Sequence, residues 1–297
     1  MLAHRLTLGP VLLLAVIALF WLDQWLETAI GIPGLIVLPL LLLVAAGAAV
    51  ELNRLFTAAG IRTTAPAVVA AATLGLLISG FTREEAAGVS GVALVGTVGI
   101  GVLLGAMLYY SRSRELRGLT AASSATLLAF VYPGVLCGFF YVVRREFEPG
   151  GWLILAILLI VKASDIGAFF VGRSLGRHKL IPWVSPGKTW EGLAGGVLTS
   201  AAVAMALSTL WTPAGGHFGH PLLLAAGIGA LFGLVGQGGD LVASMLKRDA
   251  GVKDASSLLP GFGGVLDVID SPLLVAPLAY WIFAALELLA DAAPSPG

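Results

Sequence analysis

Charge is what this chain has least of. Only 11% of its 297 residues are Asp, Glu, Lys or Arg, 58% are hydrophobic, and the mean hydropathy is +0.96. Soluble domains carry about 25% charged residues, so a soluble core of this length is excluded. A single cysteine, Cys137, lies in an apolar run. That excludes a disulfide framework and a Cys-based metal site, and leaves Cys137 as a small core hydrophobe. The four histidines (His4, His178, His217, His220) are scattered. Seventeen basic residues balance seventeen acidic ones, so no excess charge points to nucleic acid.

What is present in quantity is long apolar runs. Windows bounded by charge, Pro or Gly fall near 9–27, 32–50, 65–81, 89–111, 121–143, 151–172, 192–212, 221–243 and 272–290. Most can supply a span of roughly 20 residues; the 65–81 window is the shortest. Continuous rather than alternating apolarity favours helices over a barrel. The expected fold class is therefore all-α, a polytopic integral membrane protein of about nine transmembrane helices. The first window has a basic n-region but no small-x-small cleavage site, and is read as an uncleaved span. The glycines of GVSGVALVGTVGIGVLLGA suggest close helix contact. A division into an N-terminal bundle (1–150, about five spans) and a C-terminal catalytic region (151–297, about four spans, loops 173–191 and 244–271) is expected.

Lys/Arg placement sets orientation. Thirteen lie at the N-terminus or in every second loop: Arg5; Arg54, Arg62; Arg112, Arg114, Arg117; Arg173, Arg177, Lys179, Lys188; Lys247, Arg248, Lys253. The other loops hold Arg83, Arg144 and Arg145, and Lys162 lies inside a span. This puts the N-terminus in the cytoplasm and the C-terminus outside.

Acidic residues near spans are costly unless paired or hydrated, and so are candidates for function. Asp165 lies in the sixth span, Asp240 near the end of the eighth, Asp267 and Asp270 at the opening of the ninth, and Glu191 at the opening of the seventh. All five fall at one membrane depth on the cytoplasmic side. Each alone reads equally well as an interfacial cap; the five together, interleaved with cations, do not. Asp23, Glu27, Glu84, Glu85, Glu146, Glu148, Glu287 and Asp291 are read as ordinary caps or surface charges. Asp240, Ser244 and Lys247 share a helix face at i, i+4, i+7, and Asp267 and Asp270 at i, i+3. Oxygen-only ligands of this kind suit Mg²⁺ or Mn²⁺ rather than zinc.

Phosphate-handling parts lie beside them. In SPGKTWEG, Ser185 reads as an N-cap, Pro186 as N1 and Lys188 as a first-turn cation, which together make an anion site. Gly261, Gly263 and Gly264 of PGFGG let backbone N–H groups approach an anion, although such a segment alone is a plain turn. Lys247, Arg248 and Lys253 add positive charge. Carboxylates, a Gly-rich turn and a basic cluster are the parts of a phosphoryl or nucleotidyl transferase, with one soluble substrate and one lipid.

The blocks Ser244-Met-Leu-Lys247-Arg248, Lys253-Asp254 and Pro260-Gly-x-Gly263-Gly264-Val-Leu-Asp267-x-x-Asp270-Ser271 resemble the signature of phosphatidate cytidylyltransferases (CDP-diacylglycerol synthases). Ser185-Pro-x-Lys188-Thr-Trp-Glu191-Gly and Asp165-x-Gly-Ala-Phe with Gly172-Arg173 agree with it. The resemblance implies conversion of CTP and phosphatidic acid into CDP-diacylglycerol and pyrophosphate, with Mg²⁺. It implies Asp240, Asp267 and Asp270 as metal ligands, and Lys188, Lys247, Arg248 and Lys253 as phosphate contacts. Asp165 and Glu191 would complete the polar cavity. It also implies the bacterial inner (cytoplasmic) membrane and a homodimer, since family members are often dimeric.

The chain departs from the family at three places. Phe262 stands where the family usually has His, Val268 where it has Arg, and Ser164 where Asn is common. Lys162 is an unusual cation within a span, and at i, i+3 it can pair with Asp165. The departures keep open a diverged paralogue or a CTP-dependent lipid kinase. An ion-coupled transporter through Lys162, Asp165 and Asp240 is a third reading, against which stand the lack of an inverted repeat and the one-sided charge.

Overall fold

A computed structural model describes residues 2–81, 91–114, 116–210, 222–256 and 263–291, with side chains from residue 14 onward. Nine helices occupy the described residues: α1 (Leu2–Ile30), α2 (Val37–Ala58), α3 (Ala65–Phe81), α4 (Gly91–Ser111), α5 (Leu119–Glu146), α6 (Gly150–Leu175), α7 (Trp190–Leu210), α8 (Leu222–Asp249) and α9 (Val265–Asp291). They fall on the nine windows read from sequence. Seven are long and apolar enough to cross a membrane; α3, at 17 residues, is shorter. Helices result because hydrocarbon offers no partner to a backbone N–H or C=O, so each segment must satisfy its own. At 28 residues, α8 is about 42 Å long. That exceeds a hydrocarbon core of roughly 30 Å, so it can carry polar residues beyond the core at its end.

Two compact units divide the chain. The first comprises Met1–Leu19, Leu35–Val142 and Ala243–Ile269; the second comprises Phe20–Gly34, Val143–Val242 and Asp270–Gly297. In the first, α5 carries a π-helical segment at Phe130–Val135 around Pro133, whose ring cannot take part in the regular ladder. α3 lies against it so closely that a Cβ on Gly134 would sit 2.6 Å from the Ala72 carbonyl oxygen. The glycines of α4 behave differently from expectation. A Cβ on Gly101 or Gly105 would meet nothing within 4 Å, and Ala106 is the buried residue of this helix.

In the second unit, Arg144 donates from Nε to Asp23 at 2.6 Å and from Nη2 to Glu27 at 2.7 Å. Arg144 and Asp23 are buried. The reading of Asp23 and Glu27 as ordinary caps or surface charges is therefore corrected. A guanidinium that apolar surroundings would otherwise strand needs both acids.

The second unit also holds a hairpin of β1 (Lys179–Ile181) and β2 (Ser185–Thr189). The strands are antiparallel, with Lys179 opposite Thr189 and Ile181 opposite Ser185.

Candidate active site

The hairpin corrects the reading of SPGKTWEG as a helix start. Ser185 to Thr189 are a strand, and α7 begins at Trp190. The cap is Thr189, whose Oγ1 accepts the Gly192 N–H at 3.0 Å, which is N-cap to N3 geometry. Ser185, by contrast, faces a strand partner. Glu191 folds back over the loop: its carboxylate accepts the N–H groups of Arg177 (3.1 Å) and His178 (3.2 Å), and His178 Nδ1 lies 2.6 Å away. It fastens the hairpin to the start of α7.

A close crossing of α6 and α7 brings β2 to the end of α6. A Cβ on Gly192 would sit 2.9 Å from the Ala168 carbonyl oxygen and 3.1 Å from the Gly172 Cα. The same crossing frames a cavity of about 530 Å³, lined by Asp165, Phe169 and Arg173 of α6, Ser185 and Lys188 of β2, and Gln237 and Asp240 of α8. Glu191 is not among its lining residues. Lys188 Nζ lies 2.8 Å from Asp240 Oδ2 and donates to the Gln237 carbonyl at 3.2 Å. Gln237 Nε2 donates to Asp165 Oδ1 at 3.0 Å, and Lys162 Nζ donates to Asp165 Oδ2 at 3.1 Å. The Lys162–Asp165 pairing expected from their spacing is thus present. Arg173 stands over the Phe169 ring at 5.9 Å. Two cations, a hydroxyl and two carboxylates therefore converge in a space sized for a small molecule.

The first unit holds the signature loop. Lys247 Nζ meets Asp267 Oδ1 at 2.6 Å, and both side chains are nearly buried. Asp267 Oδ2 accepts the N–H of Gly264 at 2.8 Å and of Ala255 at 3.1 Å. From the third position of α9, Asp267 thus caps its own helix, the carboxylate half of a capping box. Gly263 takes φ +89°, a conformation that L side chains rarely adopt.

Sequence reasoning missed Glu51. This buried residue of α2 accepts the Ser256 hydroxyl at 2.6 Å, the Val265 N–H at 2.9 Å and the Leu266 N–H at 2.8 Å. A Cβ on Gly264 would collide with its carboxylate. Of the glycine N–H groups read as a phosphate cradle, that of Gly264 is turned onto the protein's own Asp267, and the N–H groups of Val265 and Leu266 that follow it are turned onto Glu51; Gly261 lies outside the described residues. The one available signal was an acid at the polar end of the second apolar window.

The remaining candidates are placed as follows. Asp270 is buried and accepts the Ser271 N–H at 2.6 Å and its hydroxyl at 3.2 Å. Arg248 is exposed, with Nη1 3.4 Å from the Val252 carbonyl. Lys253 is exposed, and Phe262 lies outside the described residues.

The donor set suits a hard divalent cation, since it is carboxylate oxygen without sulfur or imidazole. Among the described residues, however, no three or more His, Cys, Asp or Glu side chains are arranged to hold a metal. Lys188 stands on Asp240 and Lys247 on Asp267. A cation at either acid would share it with, or take it from, a lysine.

Comparison with known proteins bears on these parts. The sequence matches the cytidylyltransferase family over residues 4–286. It is 44% identical over 134 residues to the uncharacterized protein YnbB of Escherichia coli (strain K12), covering 45% of this chain and 43% of that one. It is 39% identical over 157 residues to the phosphatidate cytidylyltransferase of Bacillus subtilis (strain 168), covering 53% and 56%. With the phosphatidate cytidylyltransferase of Staphylococcus saprophyticus the match is 34% over 213 residues, covering 72% and 77%. The chain thus spans about half the length of the E. coli and B. subtilis relatives. A polytopic all-α chain, with paired lysines and aspartates on its signature segments and a match along nearly its whole length, belongs to the cytidylyltransferase family.

Proposed function

We propose that this protein is a phosphatidate cytidylyltransferase, joining CTP and phosphatidic acid into CDP-diacylglycerol and pyrophosphate. The observation that carries the reading is the Lys188–Asp240 pair in a cavity of about 530 Å³, within a chain of this family. The names of the B. subtilis and S. saprophyticus relatives supply the substrate pair.

The attacking group, a phosphate oxygen of phosphatidic acid, is already anionic, so no strong general base is required. It forms a bond to the α-phosphorus of CTP as the bond from that phosphorus to the bridging oxygen of the β-phosphate breaks, and pyrophosphate leaves with the electron pair. The work left to the protein is positioning and charge neutralisation. Lys188 and Arg173 stand in the cavity for this. Lys247, Arg248 and Lys253 would serve phosphates at the signature loop, where Gly263 and Gly264 leave room for close approach to the backbone. Ser185 and Asp165 would orient the polar substrate, and Glu191 would keep the hairpin closed. A divalent metal, Mg²⁺ or Mn²⁺, is part of the proposal; Asp240, Asp267 and Asp270 are each a candidate carboxylate ligand, and the metal would supply further charge neutralisation on the triphosphate. The bacterial inner membrane, with the N-terminus and these loops cytoplasmic and the C-terminus outside, and a homodimer complete the proposal. The catalytic region is 151–297.

A diverged paralogue is the second reading, favoured by Val268, which presents no cation in the first turns of α9 where the family usually has Arg.

The test is formation of CDP-diacylglycerol by the purified full chain in detergent with CTP, phosphatidic acid and Mg²⁺. Lys188→Ala removes a charged contact to phosphate, worth about 1.5–3 kcal/mol, and should lower kcat/KM by roughly 10- to 150-fold. Wild-type kcat/KM in Lys188→Ala would count against this cavity. No product from wild type, with product from Val268→Arg, would favour the diverged paralogue.

A further inference from the structure

The hairpin between α6 and α7 turns at Ile181–Val184, where the Val184 N–H donates to the Ile181 carbonyl at 3.2 Å. Pro182 and Trp183 are the two central residues of that turn, and proline in the first of those places brings the φ the turn needs. Val184 is buried, whereas Trp183 is 79% exposed. An indole carries a large apolar surface with one polar N–H, and here the turn holds it outward beside a side chain that it buries. Trp190, which opens α7, is exposed as well.

The height of that tip follows from the cavity beneath it. Ser185, two residues past Trp183, lines the cavity together with Asp165. Asp165 lies ten residues before the end of α6 at Leu175, about 15 Å back along the helix. A hairpin standing upright in water would lift Ser185, four residues from Thr189, by about 13 Å beyond the helix ends. A cavity of about 530 Å³ is too small to bridge the two levels, so β2 folds back over the end of the α6–α7 pair. With 26 residues, α6 is about 39 Å long against a hydrocarbon core of roughly 30 Å, which leaves its last turns in the head-group layer. The tip therefore lies at the height of the lipid head groups. The charges around it fit that place. Arg177 and Lys179 are exposed, and the sequence has no acidic residue between Asp165 and Glu191. Glu191 itself is bound to the Arg177 and His178 N–H groups. An outward indole beside outward cations is the combination that the interface takes, the ring among the head groups and the cations at lipid phosphate.

We infer that the α6–α7 hairpin is a membrane-interface anchor, with Trp183 seated in the head-group layer of an anionic leaflet and Arg177 and Lys179 against lipid phosphates. Seating the tip holds Ser185 and Lys188 of β2 at the height of those phosphates. The inference does not rest on the proposed reaction, and its test reads no turnover.

The test is tryptophan fluorescence of the full chain in vesicles of phosphatidylethanolamine and phosphatidylglycerol. The emission of Trp183 is the difference between wild type and Trp183→Phe. It should lose at least about half of its intensity when the lipids carry bromine near the head-group end of their acyl chains, and acrylamide in the water should quench it far less than free tryptophan. Full quenching by acrylamide with no effect of bromine overturns the proposal and leaves the tip in water. Protection from both quenchers also overturns it and assigns the tip to a protein contact, such as a second copy of the chain. Arg177→Gln with Lys179→Gln should raise acrylamide quenching of the same emission by about two-fold or more. No change there overturns the assignment of the two cations to lipid phosphate. A nitroxide on Trp183→Cys gives a reading that needs no difference between proteins, because Cys137, the chain's single cysteine, is buried and leaves position 183 to the label. The nitroxide should collide more often with oxygen than with a water-soluble nickel chelate, and the reverse order overturns the proposal.

Discussion

Replacing Glu51 should loosen the start of α9 and the loop before it. Its carboxylate is the acceptor for the Val265 and Leu266 N–H groups, two of the donors that a helix start leaves without an internal partner, and for the Ser256 hydroxyl. Glu51→Ala strands both N–H groups in a buried place. At about 1–3 kcal/mol for each unsatisfied donor, the expected cost is roughly 2–6 kcal/mol. Glu51→Gln retains one acceptor oxygen and turns an amide N–H₂ on the other donor, so its cost should be about half. The assay is amide hydrogen exchange of Val265 and Leu266, alongside thermal unfolding in detergent. Both amides should lose protection in Glu51→Ala, and turnover should fall with them, because Asp267 rides on the same helical turn. Wild-type exchange at both amides in Glu51→Ala, with an unchanged unfolding midpoint, would refute the reasoning.

Other consequences are smaller or more local. Thr189→Val removes the cap on the Gly192 N–H and should cost about 1 kcal/mol; Thr189→Ser should restore it, as read by thermal unfolding. Arg144→Met takes the guanidinium away from the buried Asp23 and should cost about 3–5 kcal/mol. Adding Asp23→Leu should recover most of that loss, and a double variant no more stable than Arg144→Met would contradict the pairing. Gly264→Ala would drive a methyl into the Glu51 carboxylate and should destabilise the protein by about 1–3 kcal/mol, read in the same unfolding assay.

The helices were legible because lipid leaves the backbone few choices, and the apolar windows record the result directly. Lys162 with Asp165 was legible too, since three residues of spacing on one helix bring the two within reach. What escaped depended on partners far along the chain. Glu51 meets its partners 205 to 215 residues away, and Arg144 meets Asp23 across 121 residues. Ser185 looked like a helix cap because Ser-Pro before a helix usually is one. Its pairing with Ile181 across a hairpin carries no local signature. The glycine loop was read as a cradle for a substrate anion, whereas the Gly264 N–H goes to Asp267 and the next two N–H groups go to Glu51. A lone acid at the end of an apolar window gives no hint of which helix start it will cap. The glycines of α4 were read as close-contact residues, and within the first unit two of them open onto a groove instead.

The central claim is that the nucleotide, and not a terminal phosphate, is transferred to the lipid. Purified protein with phosphatidic acid and a divalent metal should be given CTP labelled either at the α- or at the γ-phosphorus. The account expects the α label in the lipid fraction and the γ label in pyrophosphate. Label from the γ position in the lipid would contradict it and make the protein a CTP-dependent lipid kinase.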